Sequence, residues 1–368
     1  MADGGVDTAL RGLSDRLWTA VIGRDEPAAL RLVAAAADAG ADGEALLLDV
    51  VAGVQHRVGM EWAANRISVA EEHAASAITD RVIAALAHRH PTPPPGSQGR
   101  GRVTVACVDG EWHALPARFL AELLSLRGWR VDFLGAHTPT PRLIAHLHRT
   151  NPVAVLLSAS IPTHLPTAHQ AVTAVQSLGV PVMVGGAAFA ADGRYAGLIQ
   201  ADAWAPDART AADLLAQGLT SRLARQRRQV DDLPHLADQE YTFVRRSRTV
   251  LVRQSLAAME DRWPAMGSYS TAQRERTAED LAHIVDFLAT ALYVDDGALF
   301  TRFTSWTADI LTARRVPAAG LGLGLDILAD QLRDYPRALG FLKAAADTLP
   351  AMPTGPGPGA GSGQGTTA

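Results

Sequence analysis

The first 90 residues repeat apolar side chains every three to four positions, which is the spacing of amphipathic helices. Short breaks between the repeats carry residues that cap helices, and Ser68 with Glu71 three positions later has the pattern of a capping box. The predicted helices cover residues 8–22, 26–37, 43–65 and 68–88. Four helices joined by short loops indicate an up-and-down four-helix bundle over residues 1–90.

A segment rich in Pro and Gly follows at residues 91–101, and it predicts a linker because it favours neither helix nor strand. Beyond it, apolar runs of strand length alternate with helical repeats. Strands are predicted at residues 103–108, 130–134, 153–157 and 180–184 and near Ala203, and helices at residues 115–126, 141–148 and 168–178. Strands that alternate with helices form right-handed βαβ units, so residues 102–218 predict a doubly wound parallel sheet of the Rossmann-like kind.

Residues 241–349 return to purely helical periodicity, which predicts a third, all-α domain. The tail at residues 350–368 is mostly Pro, Gly, Ser and Thr, and we expect it to be disordered. The predicted fold class is therefore multidomain α and α/β, with a four-helix cap bundle, a Rossmann-like domain and a C-terminal helical domain.

The composition narrows the classes of function. A net charge of −4 over 368 residues gives no field that would attract a polyanion, and the Arg-rich stretch at residues 222–228 is predicted to be the charged end of a surface helix. Cys107 is the only cysteine in the sequence, which excludes an intramolecular disulfide and a cysteine-based metal cluster within one chain. Because neither a signal peptide nor an apolar run of spanning length is present, we expect a cytoplasmic protein with no membrane and no direct nucleic-acid partner.

Three loops that follow predicted strands carry unusual residues, and ligands bind at that edge of an open parallel sheet. Glu111 and His113 follow the first strand, where an acid beside an imidazole fixes the tautomer of a metal-ligating His. An exposed loop His is also a common surface residue. The segment Ser158-Ala-Ser160 follows the third strand, and the pair Gly185-Gly186 follows the fourth, where missing side chains let a flat ligand approach the backbone.

Together these loops resemble the cobalamin-binding domain of corrinoid proteins and cobalamin-dependent methionine synthase, whose motif is Asp-x-His-x-x-Gly followed by Ser-x-Leu/Thr and Gly-Gly. In this chain the motif reads Glu111-x-His113-x-x-Pro116, Ser158-x-Ser160 and Gly185-Gly186. The resemblance implies that His113 is the lower axial ligand of cobalt and that the Ser and Gly-Gly loops line the buried nucleotide tail. Glu111 keeps the carboxylate of the motif, whereas Pro116 in place of Gly could alter the entry of the tail.

The bundle resembles the cap of CarH-type photoreceptors, whose signature is Trp, nine residues, then Glu-His. Here Trp62 precedes Glu72-His73 at that spacing. The resemblance implies that these side chains surround the adenosyl group of adenosylcobalamin, whose Co–C bond is cleaved by light. The alternative is that Trp62 is a core residue and Glu72-His73 a solvated helix turn.

CarH-type proteins have a His directly after the Trp, and Ala63 replaces it here, so His73 or His56 is the candidate to capture cobalt after photolysis. Because the helices begin near residue 8, we expect no DNA-binding domain ahead of the bundle.

The third predicted domain places Asp280, His283 and Phe287 on one helical face, and this pattern predicts a buried His with an acidic partner. It resembles the globin-like, non-haem sensor domains related to phycobiliproteins, and with a cobalamin module the chain is similar to photocobilins, which bind cobalamin and a bilin such as biliverdin. A bilin needs apolar walls, a polar group for its pyrrole nitrogens and cations for its propionates. The candidates by chemistry are Asp280, His283, Tyr293, Phe300, Arg302, Trp306 and Arg314. Without a cysteine in this domain, binding is expected to be non-covalent. Haem with His283 as proximal ligand is the alternative.

These observations predict a light-sensing photoreceptor rather than an enzyme, with adenosylcobalamin between the bundle and the sheet and biliverdin in the helical domain. Light at either chromophore is expected to change the domain packing or the oligomeric state of a homo-oligomer such as a dimer, and to signal to an unknown downstream partner. Two alternatives stay open. One is a corrinoid carrier that serves separate cobalamin-dependent methyltransferases, and the other is a binding module that reports cobalamin availability.

Overall fold

The computed structural model describes residues 3–89, 100–220 and 233–349. The Arg-rich stretch at residues 222–228, the tail at residues 350–368 and most of the predicted linker lie outside these residues. The chain divides into two compact units. Unit 1 is Met1–Tyr241 with Tyr293–Asp295, and unit 2 is Thr242–Leu292 with Asp296–Ala368.

Unit 1 begins with the helical bundle. Its helices are α1 (Asp3–Ile22), α2 (Glu26–Asp38), α3 (Gly43–Ala45), α4 (Ala52–Ala63) and α5 (Val69–Ala87). A π-helical turn at Leu46–Val51 joins α3 to α4, so the helix predicted over residues 43–65 contains one wider turn. The Asp25 carboxylate accepts a hydrogen bond from the Ala28 N–H and caps α2. Ser68 and Glu71 form both hydrogen bonds of the capping box at the start of α5, which confirms that prediction.

A five-stranded sheet follows, in which every neighbouring pair of strands is parallel. Its strands are β1 (Arg100–Cys107), β2 (Trp129–Gly135), β3 (Ala154–Ser158), β4 (Val182–Gly185) and β5 (Ala203–Ala205). The helices between and after them are α6 (Leu115–Leu126), α7 (Thr140–Thr150), α8 (Leu165–Gln176), α9 (Arg194–Leu198) and α10 (Ala208–Gln217). The order β2-β1-β3-β4-β5 reverses between β1 and β3, as in a doubly wound sheet, which confirms the predicted parallel architecture.

The start of β1 differs from the prediction. Arg100 and Gly101 belong to β1, although both fall in the segment that was expected to hold no strand. Arg100 pairs with Trp129, and Arg102 with Arg130, in the parallel ladder to β2. The prediction was wrong at these two residues because pairing with a neighbouring strand stabilises an extended backbone even where glycine has little strand propensity.

The bundle and the sheet share one hydrophobic core, and α6 lies between them. α6 packs on β1 and β2, while α3, the π-helical turn and α5 pack against α6 from the bundle. Val50, Ile83 and Leu124 belong to this core and have no exposed surface. Burying a side chain of this kind stabilises the fold by about 1.5–3 kcal/mol, so the bundle is held on one side of the sheet by ordinary apolar packing.

Unit 2 is formed by helices: α11 (Glu240–Arg262), α12 (Thr271–Val294), α13 (Gly297–Ala313), α14 (Ala319–Gln331) and α15 (Pro336–Ala346). The first residues of α11 and the last of α12 belong to unit 1. The core of unit 2 contains Leu288, Phe300 and Leu328, which have no exposed surface. Along the described residues, none of the helices in either unit combines the length and apolarity that crossing a bilayer demands.

His283 is exposed, so the prediction that it is buried is wrong. The face that α12 buries carries Leu281, Val285 and Leu288 at helical spacing, and these apolar side chains occupy the interior instead.

Candidate functional site

The loop between β1 and α6 brings Glu111 and His113 to the carboxyl end of the sheet, beside the point where the strand order reverses. Gly110 in this loop has φ +87°, and a Cβ there would lie 3.2 Å from the His164 ring. The turn therefore requires glycine. Glu111 has no exposed surface, whereas the next residue, Trp112, is 71% exposed.

The Glu111 carboxylate accepts four hydrogen bonds. Oε1 accepts from the His113 backbone N–H at 2.8 Å and lies 2.6 Å from His113 Nδ1. Oε2 accepts from the backbone N–H of Ser160 at 2.6 Å and of Ile161 at 3.2 Å. One buried carboxylate thus fixes the His113 side chain to the loop that follows β3, and we call this arrangement the Glu111 clasp.

The clasp determines the charge and the tautomer at the site. Burial alone would raise the pKa of Glu111, but its hydrogen bonds outweigh burial and lower that pKa to about 2. An ionised carboxylate can only accept, so His113 Nδ1 carries the proton that it donates. The hydrogen bond with Glu111 also raises the pKa of His113 against the effect of burial. His113 Nε2 remains as the basic atom of the ring, and the side chain is 58% exposed.

A cavity lies next to the clasp, between the carboxyl-end halves of the strands and helices α6 and α10. Its lining includes the predicted residues Ser158, Gly185 and Gly186, together with Pro116 and Asp207. Pro116 is in the first turn of α6, where a backbone N–H would find no acceptor within the helix. Proline has no N–H, so it loses no helical hydrogen bond at this position. The Pro that replaces the motif glycine is therefore accommodated by the helix start and forms part of the cavity wall.

Gly186 is required by the protein's own packing. It has φ +105°, and a Cβ would come within 2.3 Å of the Ala159 carbonyl oxygen. At Gly185 a Cβ would lie 3.3 Å from the Ala205 carbonyl oxygen, a tight contact. The pair lets the loops after β3 and β4 approach each other, and it keeps side chains out of the cavity at the same point.

The bundle contributes Trp62 and Glu72-His73 to unit 1. Trp62 is half-buried near the end of α4, and Glu72 is half-buried in the first turns of α5. The hydrogen bond with Glu111 is the main cause that raises the pKa of His113, and the negative charge of Glu72 adds to this rise. His73 is 75% exposed, and its Nδ1 lies 2.7 Å from Glu72 Oε2. His56, the other candidate of the bundle, is exposed on α4.

The residues predicted to hold a bilin differ in their exposure. Four of them are exposed in unit 2, namely Asp280, His283, Trp306 and Arg314. Partial desolvation raises the pKa of Asp280, and the charge of Arg314 acts against this rise. Phe287 and Phe303 stack between α12 and α13 with ring centroids 3.7 Å apart. Arg302 is exposed with Asp296 3.8 Å from its guanidinium.

Two of these candidates lie elsewhere. Phe300 has no exposed surface and packs in the core of unit 2. Tyr293 belongs to unit 1, where its hydroxyl lies 2.7 Å from His169 Nδ1. Neither side chain is exposed, in contrast to His283 and Trp306.

Ser160, a predicted site residue, contributes its backbone N–H to the clasp rather than its hydroxyl. Other residues of the site carry no signal that sequence reasoning detected. Ile161 contributes a backbone N–H group, which any residue except Pro supplies. His164 packs beside Gly110, and burial lowers its pKa. Cys107, also buried, has its pKa raised to about 12 by burial and stays a protonated thiol.

The chemistry of these groups fits a corrinoid. A corrin ring supplies the equatorial ligands of its cobalt, and a histidine of the protein can supply one further nitrogen in place of the nucleotide base of the cofactor. His113 Nε2 is such a nitrogen, with its tautomer fixed by the buried Glu111 carboxylate. The adjacent cavity is lined by Gly, Ala and Ser residues together with larger apolar side chains, and it lies where a substituent of the ring could enter.

Comparison with known proteins agrees with this chemistry. The B12 binding domain family matches residues 101–215, and a second B12 binding domain family matches residues 13–87. The first match covers the sheet with the Glu111 clasp, and the second covers most of the bundle. Cobalamin is therefore the cofactor class that the chain binds, through a Rossmann-like B12-binding domain and a helical cap.

Solved structures with similarity to this chain were also found. The monomethylamine corrinoid protein of Methanosarcina barkeri has 18% identity and a TM-score of 0.49, over 56% of this chain and 98% of that one. A cobalamin-binding protein from Desulfitobacterium hafniense DCB-2 has 19% identity and a TM-score of 0.32, over 56% and 97%. The methanol:cobalamin methyltransferase complex MtaBC of Methanosarcina barkeri has 18% identity and a TM-score of 0.32, over 58% and 83%. No curated protein sequence matches the chain.

Proposed function

We propose that this protein holds cobalamin with His113 as the lower axial ligand of cobalt, the nucleotide tail in the cavity beside α6 and α10, and the bundle over the upper face. The observation that carries the proposal is the Glu111 clasp, because it presents one imidazole nitrogen at the carboxyl end of the sheet, next to that cavity. Bound cobalamin supplies a cobalt–carbon bond that can be transferred as an alkyl group or broken by light.

The test is a comparison of the wild-type chain with His113→Ala after reconstitution. Wild-type protein should bind cobalamin with a histidine nitrogen on cobalt, and ¹⁵N-labelled histidine should change the nitrogen splitting in the electron paramagnetic resonance spectrum of the cobalt(II) form. His113→Ala should lose that splitting. Two results would reject His113 as the ligand. One is the same histidine nitrogen splitting in His113→Ala, and the other is a wild-type spectrum in which the nucleotide base of the cofactor stays on cobalt.

The role that needs the fewest features is a corrinoid carrier serving separate cobalamin-dependent methyltransferases. The two segments matched by B12-binding families supply a lower ligand and a cap, and a carrier requires these. In this role the protein is not itself an enzyme, since the methyl donor and acceptor sites belong to its partners. Methylcobalamin-loaded protein should then transfer its methyl group in the dark when a partner methyltransferase is added.

A photoreceptor role is the second candidate, favoured by the composition of the cap. Trp62 and Glu72-His73 have the CarH-type spacing, and the charge of Glu72 acts on His113. In this role adenosylcobalamin is the bound form, and light that breaks its cobalt–carbon bond changes the oligomeric state, for example of a dimer, which signals to a downstream partner.

A bilin such as biliverdin, bound non-covalently in a globin-like unit 2, belongs to the same proposal. Supporting it, unit 2 exposes an acid and a His on α12 at Asp280 and His283, an aromatic side chain on α13 at Trp306 and a cation directly after α13 at Arg314. These are the group types that a bilin requires. Biliverdin added to the full chain should develop a red absorption band that Trp306→Ala and His283→Ala weaken.

One experiment separates the two roles. Loss of the alkyl-cobalamin bands under green light is not decisive, since the free coenzyme is also photolysed. The decisive quantity is the molar mass of adenosylcobalamin-loaded protein, measured by light scattering before and after illumination. A change in oligomeric state favours the photoreceptor, and an unchanged state with methyl transfer in the dark favours the carrier.

A further inference from the structure

The loop after β2 lies against the loop that carries the Glu111 clasp, and His137 makes three of the contacts between them. The His137 backbone N–H donates to the Glu111 carbonyl oxygen at 2.8 Å, and His137 Nδ1 accepts from the Gly110 N–H at 3.0 Å. The His137 ring stacks on the Trp112 indole, with ring centroids 4.9 Å apart and 11° between the planes. One residue thus contacts three successive residues directly before His113, and we call this arrangement the His137 clamp.

The roles of donor and acceptor in the clamp follow from the groups involved. A backbone N–H can only donate, so His137 Nδ1 is the acceptor of the Gly110 hydrogen bond and the ring proton is on Nε2. Asp109 Oδ1 lies 3.2 Å from the same nitrogen. Because both of these atoms are acceptors in this tautomer, Asp109 adds no hydrogen bond to the clamp. The imidazole therefore holds the loop through Gly110.

The backbone of His137 is in a conformation that needs support from its surroundings. Its φ is +45°, in the left-handed region that residues with a Cβ rarely adopt. Such a conformation persists only where the surrounding structure holds it. The neighbouring Thr138 N–H donates to the Cys107 carbonyl oxygen at 3.4 Å, at the end of β1. In this conformation His137 brings both its backbone N–H and its ring to one loop.

The clamp and the clasp hold different parts of Glu111. The clasp binds the Glu111 carboxylate, whereas the clamp binds the Glu111 carbonyl oxygen and the backbone N–H of the residue before it. His113 follows two positions later, and its backbone N–H is itself bonded to the Glu111 carboxylate. Because the His113 side chain is more than half exposed, its position depends on these contacts more than on packing.

We infer that His137 is a positioning residue that orders the His113 loop before the cofactor arrives, so that cobalt takes His113 rather than the nucleotide base of the cofactor. This inference rests on the proposed cobalamin function and extends it to the choice between two competing lower ligands. A ligand group that is already ordered loses less conformational entropy on binding. The clamp therefore favours His113 in this competition, although His137 does not itself touch the metal.

The test uses two substitutions that separate the hydrogen bond from the ring stack. His137→Phe keeps an aromatic ring beside Trp112 but removes the acceptor for the Gly110 N–H. His137→Asn removes the ring but offers an amide oxygen as acceptor, and asparagine is among the residues that tolerate a left-handed φ. His148→Phe is the matched control, because His148 is exposed on α7 and lies outside this loop.

The quantity to measure is the dissociation constant of cobalamin on the full chain, in the presence and absence of His113. The ratio of the constants for His113→Ala and the wild-type chain gives the advantage of His113 over the cofactor's own base. His137→Phe should reduce this ratio about three- to tenfold, which is the effect of losing one hydrogen bond. His137→Asn and His148→Phe should leave it within about twofold of the wild-type ratio.

Hydrogen exchange of the cofactor-free chain tests the clamp without the cofactor. The Gly110 amide should exchange about three- to tenfold faster in His137→Phe, because its N–H loses the acceptor. Its rate should stay within about twofold of the wild-type rate in His137→Asn, which restores an acceptor.

Three results would overturn the inference. Equal weakening of cobalamin binding by His137→Phe with and without His113 would show that His137 supports the fold of the site and not the ligand. Equal behaviour of His137→Phe and His137→Asn would show that the acceptor is not what matters. Faster exchange at Gly110 with an unchanged ratio would show that ordering the loop does not affect the choice of ligand. If the wild-type chain binds no cobalamin, the proposed function fails, and the exchange rates then show separately whether the clamp orders the loop.

Discussion

A carboxylate that is wholly buried destabilises a fold unless its oxygens accept hydrogen bonds, and Glu111 accepts four of them. Two come from the residue that it orients and two from the loop after β3. Because the four donors surround both oxygens, no neutral isostere satisfies them all. A carboxylate at position 111 is therefore needed to hold His113 in its place.

Glu111→Gln is expected to damage both stability and metal ligation. The amide NH₂ would face N–H donors on one side of the clasp, and leaving such groups unpaired costs about 1–3 kcal/mol of the free energy of unfolding. Cobalamin bound to this variant should show a weaker His113 signal on cobalt. Chemical denaturation and the nitrogen splitting measure the two effects.

Asp109→Asn is the control for that variant. It changes the same charge in the same loop, but Asp109 contacts His137 rather than His113. It should keep the stability and the nitrogen splitting of the wild-type protein. Equal behaviour of Glu111→Gln and Asp109→Asn would contradict the role assigned to the clasp.

Replacement of glycine by alanine should destabilise the protein at Gly186 and stabilise it at Gly53. Gly186→Ala places a Cβ 2.3 Å from the Ala159 carbonyl oxygen at φ +105°, and such strain should cost about 1–3 kcal/mol. Gly53→Ala, in α4, meets no atom within 4 Å and should gain about 0.5–1 kcal/mol from helix propensity. Urea denaturation of both variants measures the difference. A neutral Gly186→Ala would mean that the loops after β3 and β4 shift apart freely.

At the scale of elements, charged side chains join the bundle to the Rossmann-like domain. Arg127, after α6, bonds Glu44 at 2.9 Å and Asp213 at 2.6 Å. Arg209, in α10, bonds Glu44 at 3.0 Å and Asp49 at 2.8 Å. The hydrogen bond from Arg127 lowers the pKa of Glu44. Asp49 lies in the π-helical turn, so this wider turn carries one of the acids in the network.

Arg209→Gln should destabilise unit 1 by about 0.5–1.5 kcal/mol, because a guanidinium that bonds two carboxylates stabilises the fold more than an isolated surface ion pair does. Arg66→Gln is the control, since Arg66 pairs with Glu61 five positions before it, within the bundle. The effect of Arg209→Gln should shrink in about 1 M salt, where exposed charges are screened. An equal effect of the two substitutions in urea denaturation would count against an inter-element role for the network.

Elements of the fold were predictable from the sequence where local pattern and burial coincide. The alternation of buried strands and amphipathic helices predicts α6 at its observed residues and the parallel sheet around it. The π-helical turn inside the third predicted helix has no such signal, since a wider turn keeps the apolar spacing nearly intact.

The site was predictable only in part, for the same reason. Glu111 and His113 are two residues apart, so their motif is visible in the sequence. The hydrogen bond from Gln55 Nε2 to Ser76 Oγ in the bundle joins residues 21 positions apart, and their meeting depends on how α4 packs on α5. For His283, periodicity alone placed an aromatic and a His on one face, but the adjacent apolar stripe is the one that the core buries.

For the whole molecule, the division into two compact units predicts two unfolding transitions. The residues proposed for cobalamin lie in unit 1, whereas the exposed candidates for a bilin lie in unit 2. A ligand stabilises the unit that binds it by about 2.7 kcal/mol at a hundredfold excess over its dissociation constant. Cobalamin should therefore raise the transition temperature of one unit, and biliverdin that of the other.

Calorimetry of the full chain measures this, and point variants assign the transitions. Gly186→Ala should lower the transition that cobalamin raises, since Gly186 directly follows β4 in unit 1. Leu328→Ala, which opens a cavity in the core of unit 2 and should cost about 2–5 kcal/mol, should lower the other. If cobalamin raises the transition lowered by Leu328→Ala instead, cofactor binding is not confined to unit 1. If biliverdin moves neither transition, the bilin part of the photoreceptor role is rejected, while the lower-ligand role of His113 is unaffected because it depends on unit 1 alone.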